Sequence, residues 1–290
     1  IAAFIAGYAK LRDWPSNKDH RKAVSDALEP FLESEIIDEA EEVKSLLNER
    51  KYIVLQGPPG TGKTRLAKNV AEKIKAKIFF TQFHAETSYS DFIFGIRPDL
   101  NNEELNYKEI LGNFTQALKY AKEHENEKVI LIIDEINRAN LSNVLGPIFY
   151  LFEHKMDKSN VEIEISPGFK INKLPDNFSV IATMNTADRS IEALDTALRR
   201  RFSFREMAPK HDLIANEGEL VETKGKIGEV DVVKILNTIN GRIEKLIDKD
   251  HKIGHSYFLG IETLEDLKQT FKDKVIPLLE EYFFGDFGKI

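Results

Sequence analysis

The chain has 290 residues, 42% of them hydrophobic and 31% charged, with a net charge of −7 and no cysteine. That length allows one large domain and a smaller one, each with a buried core. The composition excludes disulfides and thiolate metal sites, argues against wrapping of nucleic acid by overall charge, and contains no apolar run long enough to cross a bilayer, so a cytoplasmic protein with no membrane partner is expected.

The first residue is Ile1 rather than Met, so a fragment or a processed product is expected. Residues 1–50 read as an N-terminal helical extension. Within it Ser34 to Glu49 is acidic and periodic, with Ile36, Ile37, Ala40, Val43 and Leu47 on one face. Tyr52 to Leu55 is a short apolar run ending in a Gly/Pro turn, the pattern of a buried parallel strand. Four more runs share that character: Ile78 to Phe80, Val129 to Ile133, Phe178 to Ala182 and Phe202 to Phe204. Between them lie helical patterns at Thr64 to Lys75, Lys108 to Glu123, Leu141 to Glu153 and Ile191 to Arg200. The alternation predicts an α/β domain over 51–208, a parallel five-stranded sheet flanked by helices. Val161 to Leu174 interrupts it as a β-hairpin turning at Ser166-Pro167-Gly168. Beyond Met207 to Lys210 the strand signal disappears. Gly225 and Gly228 mark a linker, and Val230 to Ile247 and Leu264 to Phe284 read as helices, which makes 209–290 a smaller helical lid domain.

Gly57-Pro58-Pro59-Gly60-Thr61-Gly62-Lys63-Thr64 fits the phosphate-binding pattern G-x-x-x-x-G-K-[ST], between a predicted strand and a predicted helix. Glycines let backbone N–H groups turn inward around a phosphate, and the helix N-terminus points its positive end there. Lys63 supplies a charge between the β- and γ-phosphates, and Thr64 offers a hydroxyl to Mg²⁺. Arg65 follows and joins the nucleotide-binding candidates. Val129 to Ile133 ends in Asp134-Glu135. In a phosphate-loop site the first acid holds Mg²⁺ through water and the second polarises the attacking water. Asn185, after the Phe178 strand, could touch the γ-phosphate or that water; it could also mark an ordinary turn. Arg199-Arg200-Arg201 ends a helix, where cations complement the dipole. Three in a row exceed what capping needs and suggest an arginine finger that completes a neighbouring subunit's site.

These segments together resemble the AAA+ domain of McrB-type restriction GTPases. The resemblance runs from Tyr52 to Asp286 and is carried by Gln82-Phe83-His84, Ser88-Tyr89-Ser90-Asp91-Phe92, Gly95-Ile96-Arg97-Pro98 and Asp134-Glu135-Ile136-Asn137-Arg138-Ala139-Asn140-Leu141. It continues through Met184-Asn185-Thr186-Ala187-Asp188-Arg189-Ser190, Ala197-Leu198-Arg199-Arg200-Arg201-Phe202, Ile253-Gly254-His255-Ser256-Tyr257-Phe258 and Pro277 to Phe284. The resemblance implies a homo-oligomeric ring, hexameric in stoichiometry, with GTP preferred to ATP between subunits. It implies a McrC-like partner that carries the nuclease and stimulates hydrolysis. It sets Asn185 and Asp188 in the signature loop, Arg200 and Arg201 where trans-acting arginines lie, Asn137 as a positioner of water or sensor of the partner, and His255 as a lid residue near the nucleotide. About 50 residues precede the phosphate loop, so the family's DNA-reading domain is expected to be absent or truncated here, and DNA would be met through such a domain or through the partner.

Other patterns carry less. The guanine-reading Asn-Lys-x-Asp motif is missing: Asn17-Lys18-Asp19-His20 has its acid one place early, and Asn172-Lys173-Leu174-Pro175 has none. Guanine selectivity therefore comes from the resemblance and not from residue chemistry. His251 and His255 are four apart but lack a third metal ligand. Pro175-Asp176 with Glu222 and Lys224 only loosely mimics a nuclease. Two other readings stand beside the GTPase: an ATP-dependent remodeller of the same clade, and a nucleotide-assembled scaffold that scarcely hydrolyses.

Overall fold

The computed structural model describes residues 39–99, 106–153, 162–188 and 196–284. Five strands form one parallel sheet: β1 (Tyr52–Gly57), β2 (Lys77–Gln82), β5 (Val129–Asp134), β8 (Phe178–Asn185) and β9 (Ser203–Glu206), in the order β2-β5-β8-β1-β9. Period-two alternation sends successive side chains to opposite faces. Ile53 and Leu55 of β1, Ile130 and Ile132 of β5 and Ile181 of β8 join one core cluster. Helices α1 (Glu39–Arg50) and α2 (Lys63–Lys73) cover it, α1 through Ala40, Val43 and Leu47 and α2 through Leu66, Ala67, Val70 and Ala71. Tyr52, Val54, Leu131, Val180 and Ala182 face the other way, against α3 (Asn113–Glu123) and the segment 141–152. A third cluster, from Ile214 to Val275, forms the core of the helical C-terminal region around α5 (Val232–Leu246). There Asn240 is buried and exchanges two hydrogen bonds with the backbone of Ile253, pinning the chain that leads to Gly254.

Several local expectations are corrected. The helix expected over Lys108 to Glu123 begins only at Asn113. Residues Asn106–Leu111 are strand β4, paired antiparallel with β3 (Phe94–Asp99). The helix expected over Leu141 to Glu153 stops at Leu145, because Gly146 takes φ 38° and Pro147 cannot donate; a 3₁₀ stretch follows to Phe152. The edge strand β2 is only half-buried, with Phe80 42% exposed. The hairpin forms as β6 (Ile163–Ser166) and β7 (Phe169–Ile171), turning through Gly168; Val161 lies outside the described residues. Residues Lys226–Ile227 and Val230–Asp231 form a small antiparallel pair where a linker was read. Of the helix read over Ile191 to Arg200, residues 191–195 lie outside the described residues, and the described part is α4 (Thr196–Arg201). Arg189, Ser34 to Asp38 and most of the N-terminal extension also lie outside them. The Ser88–Asp91 motif forms a capping box that seats the buried Phe92.

Candidate active site

The site forms where β1, β5 and β8 end. Register sets Asn185 beside Gly57 and Thr183 beside Leu55, and Ile133 beside Ala182, so the acids after Ile133 come level with the polar end of β8. Thr183 and Asn185 are two apart on one strand and share a face.

The phosphate loop turns through Gly60 and Gly62 at φ 76° and 81°, a left-handed backbone that a side chain would strain. Thr61 is buried and its hydroxyl donates to the Pro58 carbonyl at 3.0 Å. Lys63 folds over the loop, its Nζ donating to the carbonyls of Gly57 and Pro58 at 2.9 and 2.7 Å. Burial draws its pKa down to about 8, against the opposing pull of Glu135, Asp134 and Asp188. The Thr64 hydroxyl donates to Asp134 Oδ1 at 2.6 Å, and the Thr183 hydroxyl donates to the same oxygen at 2.7 Å. Thr183 Oγ1 also accepts from the Glu135 backbone N–H at 3.1 Å.

Glu135 adopts φ 56° and ψ 47°, a left-handed conformation uncommon for a residue with a Cβ. Its Oε1 accepts from Asn185 Nδ2 at 2.5 Å. Burial raises its pKa; Arg138 opposes that rise and Asp134 adds to it. Arg138 Nε lies 3.4 Å from Glu135 Oε2, and its Nη2 donates to Asp188 Oδ2 at 3.0 Å, so one guanidinium joins Asp188 to the acid. Asn137 is buried. Its Nδ2 donates to the Asn185 carbonyl at 3.1 Å, and its Oδ1 is a buried acceptor with no hydrogen-bond partner among the described residues.

The C-terminal region reaches the loop directly. Gly254 N–H donates to the Pro59 carbonyl and Ser256 N–H to the Gly60 carbonyl, each at 3.1 Å. His255 between them is 5% exposed, and its Nδ1 accepts from the Lys210 backbone N–H at 3.2 Å. Two cavities meet here. One, of about 370 Å³, is lined by Lys63, Thr64, Glu135, Thr183 and Asn185 among others. The second, of about 430 Å³, shares Gly62, Arg65 and His255 with the first and continues toward Glu39, Met207 and Lys210. Arg65 itself is exposed and pairs with Glu217 at 3.2 Å.

The three arginines of α4 part company. Arg201 is mostly buried, paired with Glu153 and set over the Phe149 ring at 4.5 Å. Arg199 lies over Phe204 at 5.2 Å, and Arg200 is exposed. Sequence reasoning gave Arg138 and Thr183 no role. Thr183 could have been found from its spacing of two from Asn185. Arg138 had no signal beyond its place three residues after Glu135.

The AAA domain model (dynein-related subfamily) matches residues 52–202, and the McrB alpha-helical lid domain model matches residues 231–290. The chain is 37% identical to the type IV methyl-directed restriction enzyme EcoKMcrB subunit of Escherichia coli (strain K12), across 94% of this chain and 62% of that protein. It is 30% identical to the type II restriction enzyme BsuMI component YdiS of Bacillus subtilis (strain 168), across 80% of this chain and 78% of that protein. No described helix is long and apolar enough to cross a membrane.

Proposed function

The chain belongs to the McrB-type AAA+ proteins, and from that premise we propose that it is a Mg²⁺-dependent GTPase subunit, assembled as a hexameric ring, that powers DNA restriction by a McrC-like nuclease partner. The observation that carries the hydrolytic reading is the convergence of Lys63, Thr64, Glu135 and Asn185 on one cavity, with Asp134 tied to Thr64. The restriction role is supported by two relatives named as restriction-enzyme components.

Lys63 supplies the cation for the β- and γ-phosphates. The Thr64 hydroxyl and Asp134 carboxylate are the hard oxygen donors that suit Mg²⁺, an ion usually bound by one or two carboxylates with water and phosphate. When bound, that ion offsets charge developing on the phosphates. Glu135, aimed by Asn185, takes the proton of the attacking water, and its raised pKa makes it a stronger base once ionised. Arg200, exposed at the end of α4, is the better placed of the two finger candidates; Arg201 already serves Glu153 of its own chain. Asn137 holds the Asn185 carbonyl and Asp188 holds Arg138. DNA is met through a reader domain or through the partner.

The test is turnover of GTP and ATP by the wild type and by Glu135→Gln. Binding should persist in the variant while turnover falls by about 10²- to 10⁴-fold. A variant that hydrolyses at the wild-type rate removes Glu135 from the chemistry. A wild type that turns over only ATP points to the remodeller, and one that turns over neither, with the partner present, to a scaffold.

A further inference from the structure

On the phosphate-loop reading the phosphates of a nucleotide lie at Lys63 and Thr64, and its nucleoside then passes the residues that this cavity shares with its neighbour, Gly62, Arg65 and His255. The second cavity therefore receives the base. Ala40, Leu66, Met207 and Leu213 give it apolar walls suited to the faces of a purine. Its polar edge is a connected pair: Lys210 Nζ lies 2.9 Å from Glu39 Oε2. The Lys210 backbone N–H donates to His255 Nδ1, which fixes that residue to the lid and requires the proton of the neutral ring to sit on Nε2.

We propose that Glu39 is the guanine-selecting residue of this site, with Lys210 as its companion donor. The inference rests on the reading of the chain as a GTPase and adds the means of selection. Guanine presents two adjacent donors, N1–H and the N2 amine, beside the O6 acceptor. A carboxylate has two oxygens and about four lone-pair sites, of which Lys210 uses one. It accepts both guanine donors, while the Lys210 ammonium serves O6. Adenine offers one amine beside an acceptor and a C–H, so one carboxylate oxygen faces no donor. A partly buried carboxylate oxygen left without a donor is costly, and that cost is the discrimination. The other acid on this cavity, Glu217, is less suited. Its side chain is 43% exposed and pairs with Arg65, whereas that of Glu39 is 28% exposed.

Competition binding with GTP, ITP, XTP and ATP tests this on the chain as it stands. Wild type should bind GTP ahead of ITP, which lacks only the N2 amine, and both ahead of ATP and XTP. In Glu39→Gln the amide offers one acceptor to N1–H and one donor, which suits the C2 carbonyl of xanthine. GTP should weaken and XTP should tighten, each by roughly 10- to 100-fold, the range a bidentate base contact supplies. Glu39→Asp keeps the carboxylate and should keep GTP ahead of XTP. A GTP-selective wild type whose GTP-to-XTP ratio is unmoved by Glu39→Gln overturns the role of Glu39 and leaves the GTPase reading intact. Equal loss of all four nucleotides in both variants also overturns it, because it marks Glu39 as a structural contact of Lys210. Equal affinity of the wild type for GTP and ATP removes the GTPase reading itself.

Discussion

Gly254 has no room for a side chain, and this makes Gly254→Ala a measured wedge between the lid and the phosphate loop. A Cβ there would lie 2.1 Å from both the carbonyl carbon and oxygen of Gly60 and 2.4 Å from the Pro59 oxygen. These are backbone atoms of a loop anchored by β1 on one side and α2 on the other, so the lid must withdraw. Withdrawal breaks the bonds from Gly254 N–H to Pro59 and from Ser256 N–H to Gly60. At about 1 kcal/mol net for each, the loss is about 2 kcal/mol. That corresponds to a shift of roughly 30-fold toward a lid displaced from the loop. Because the Cβ clash leaves the docked form a minor one in the variant, a nucleotide that binds only that form loses apparent affinity, by up to about the same factor. Calorimetric titration of GTP and ATP reads the change directly. Gly241→Ala is the control, because a Cβ at Gly241, within α5, meets nothing within 4 Å. Its affinity should match the wild type. Binding by Gly254→Ala within threefold of the wild type would refute the claim that lid docking and nucleotide binding are coupled through this contact.

In the free chain Lys63 loses its proton above about pH 8, and bound phosphates favour its return. Nucleotide Kd should therefore rise about tenfold per pH unit above that point, with proton uptake on binding; equal affinity at pH 7 and 9 would contradict it. Arg138 lowers the pKa of Glu135, so Arg138→Ala should move the acid limb of the pH–rate profile to higher pH, since the base must be ionised to act; an unmoved limb would detach Arg138 from Glu135. Arg201→Ala removes the partner of Glu153 and the contact with Phe149, and it should lower the melting temperature by a few degrees, about 1 to 2 kcal/mol after allowing for the exposure of Glu153. Arg200→Ala should melt normally yet hydrolyse roughly 10³-fold more slowly in assembled rings, with part of the activity regained on mixing with Lys63→Ala subunits; no regain in rings shown to be mixed would leave Arg200 outside the chemistry.

Local pattern carried most of the α/β framework. Short apolar runs at Tyr52, Val129 and Phe178 could bury both faces only as central strands, and their alternation appears as the two core clusters on either side of the sheet. Where pattern failed, pairing decided. The polar run at Lys108 and Glu109 has no strand signature of its own and becomes one only by pairing with Arg97 and Ile96. Leu141 to Glu153 keeps a helical apolar rhythm, yet the backbone at Gly146 and Pro147 divides it.

The sequence by itself determined the phosphate-loop pattern, because it lies in eight consecutive residues whose glycines shape the local backbone. It also located the acid pair, at the end of an apolar strand downstream of that loop. The tertiary structure decided everything that depends on residues far apart along the chain. It joined Arg138 to Asp188, tied Arg201 to Glu153 while leaving Arg200 exposed, and brought Glu39 against Lys210 beside the lid. A charged side chain has no periodicity that names its partner. Which opposite charge it meets is set by sheet order and by the docking of the lid, and both follow from burial of the three hydrophobic clusters rather than from the charges themselves.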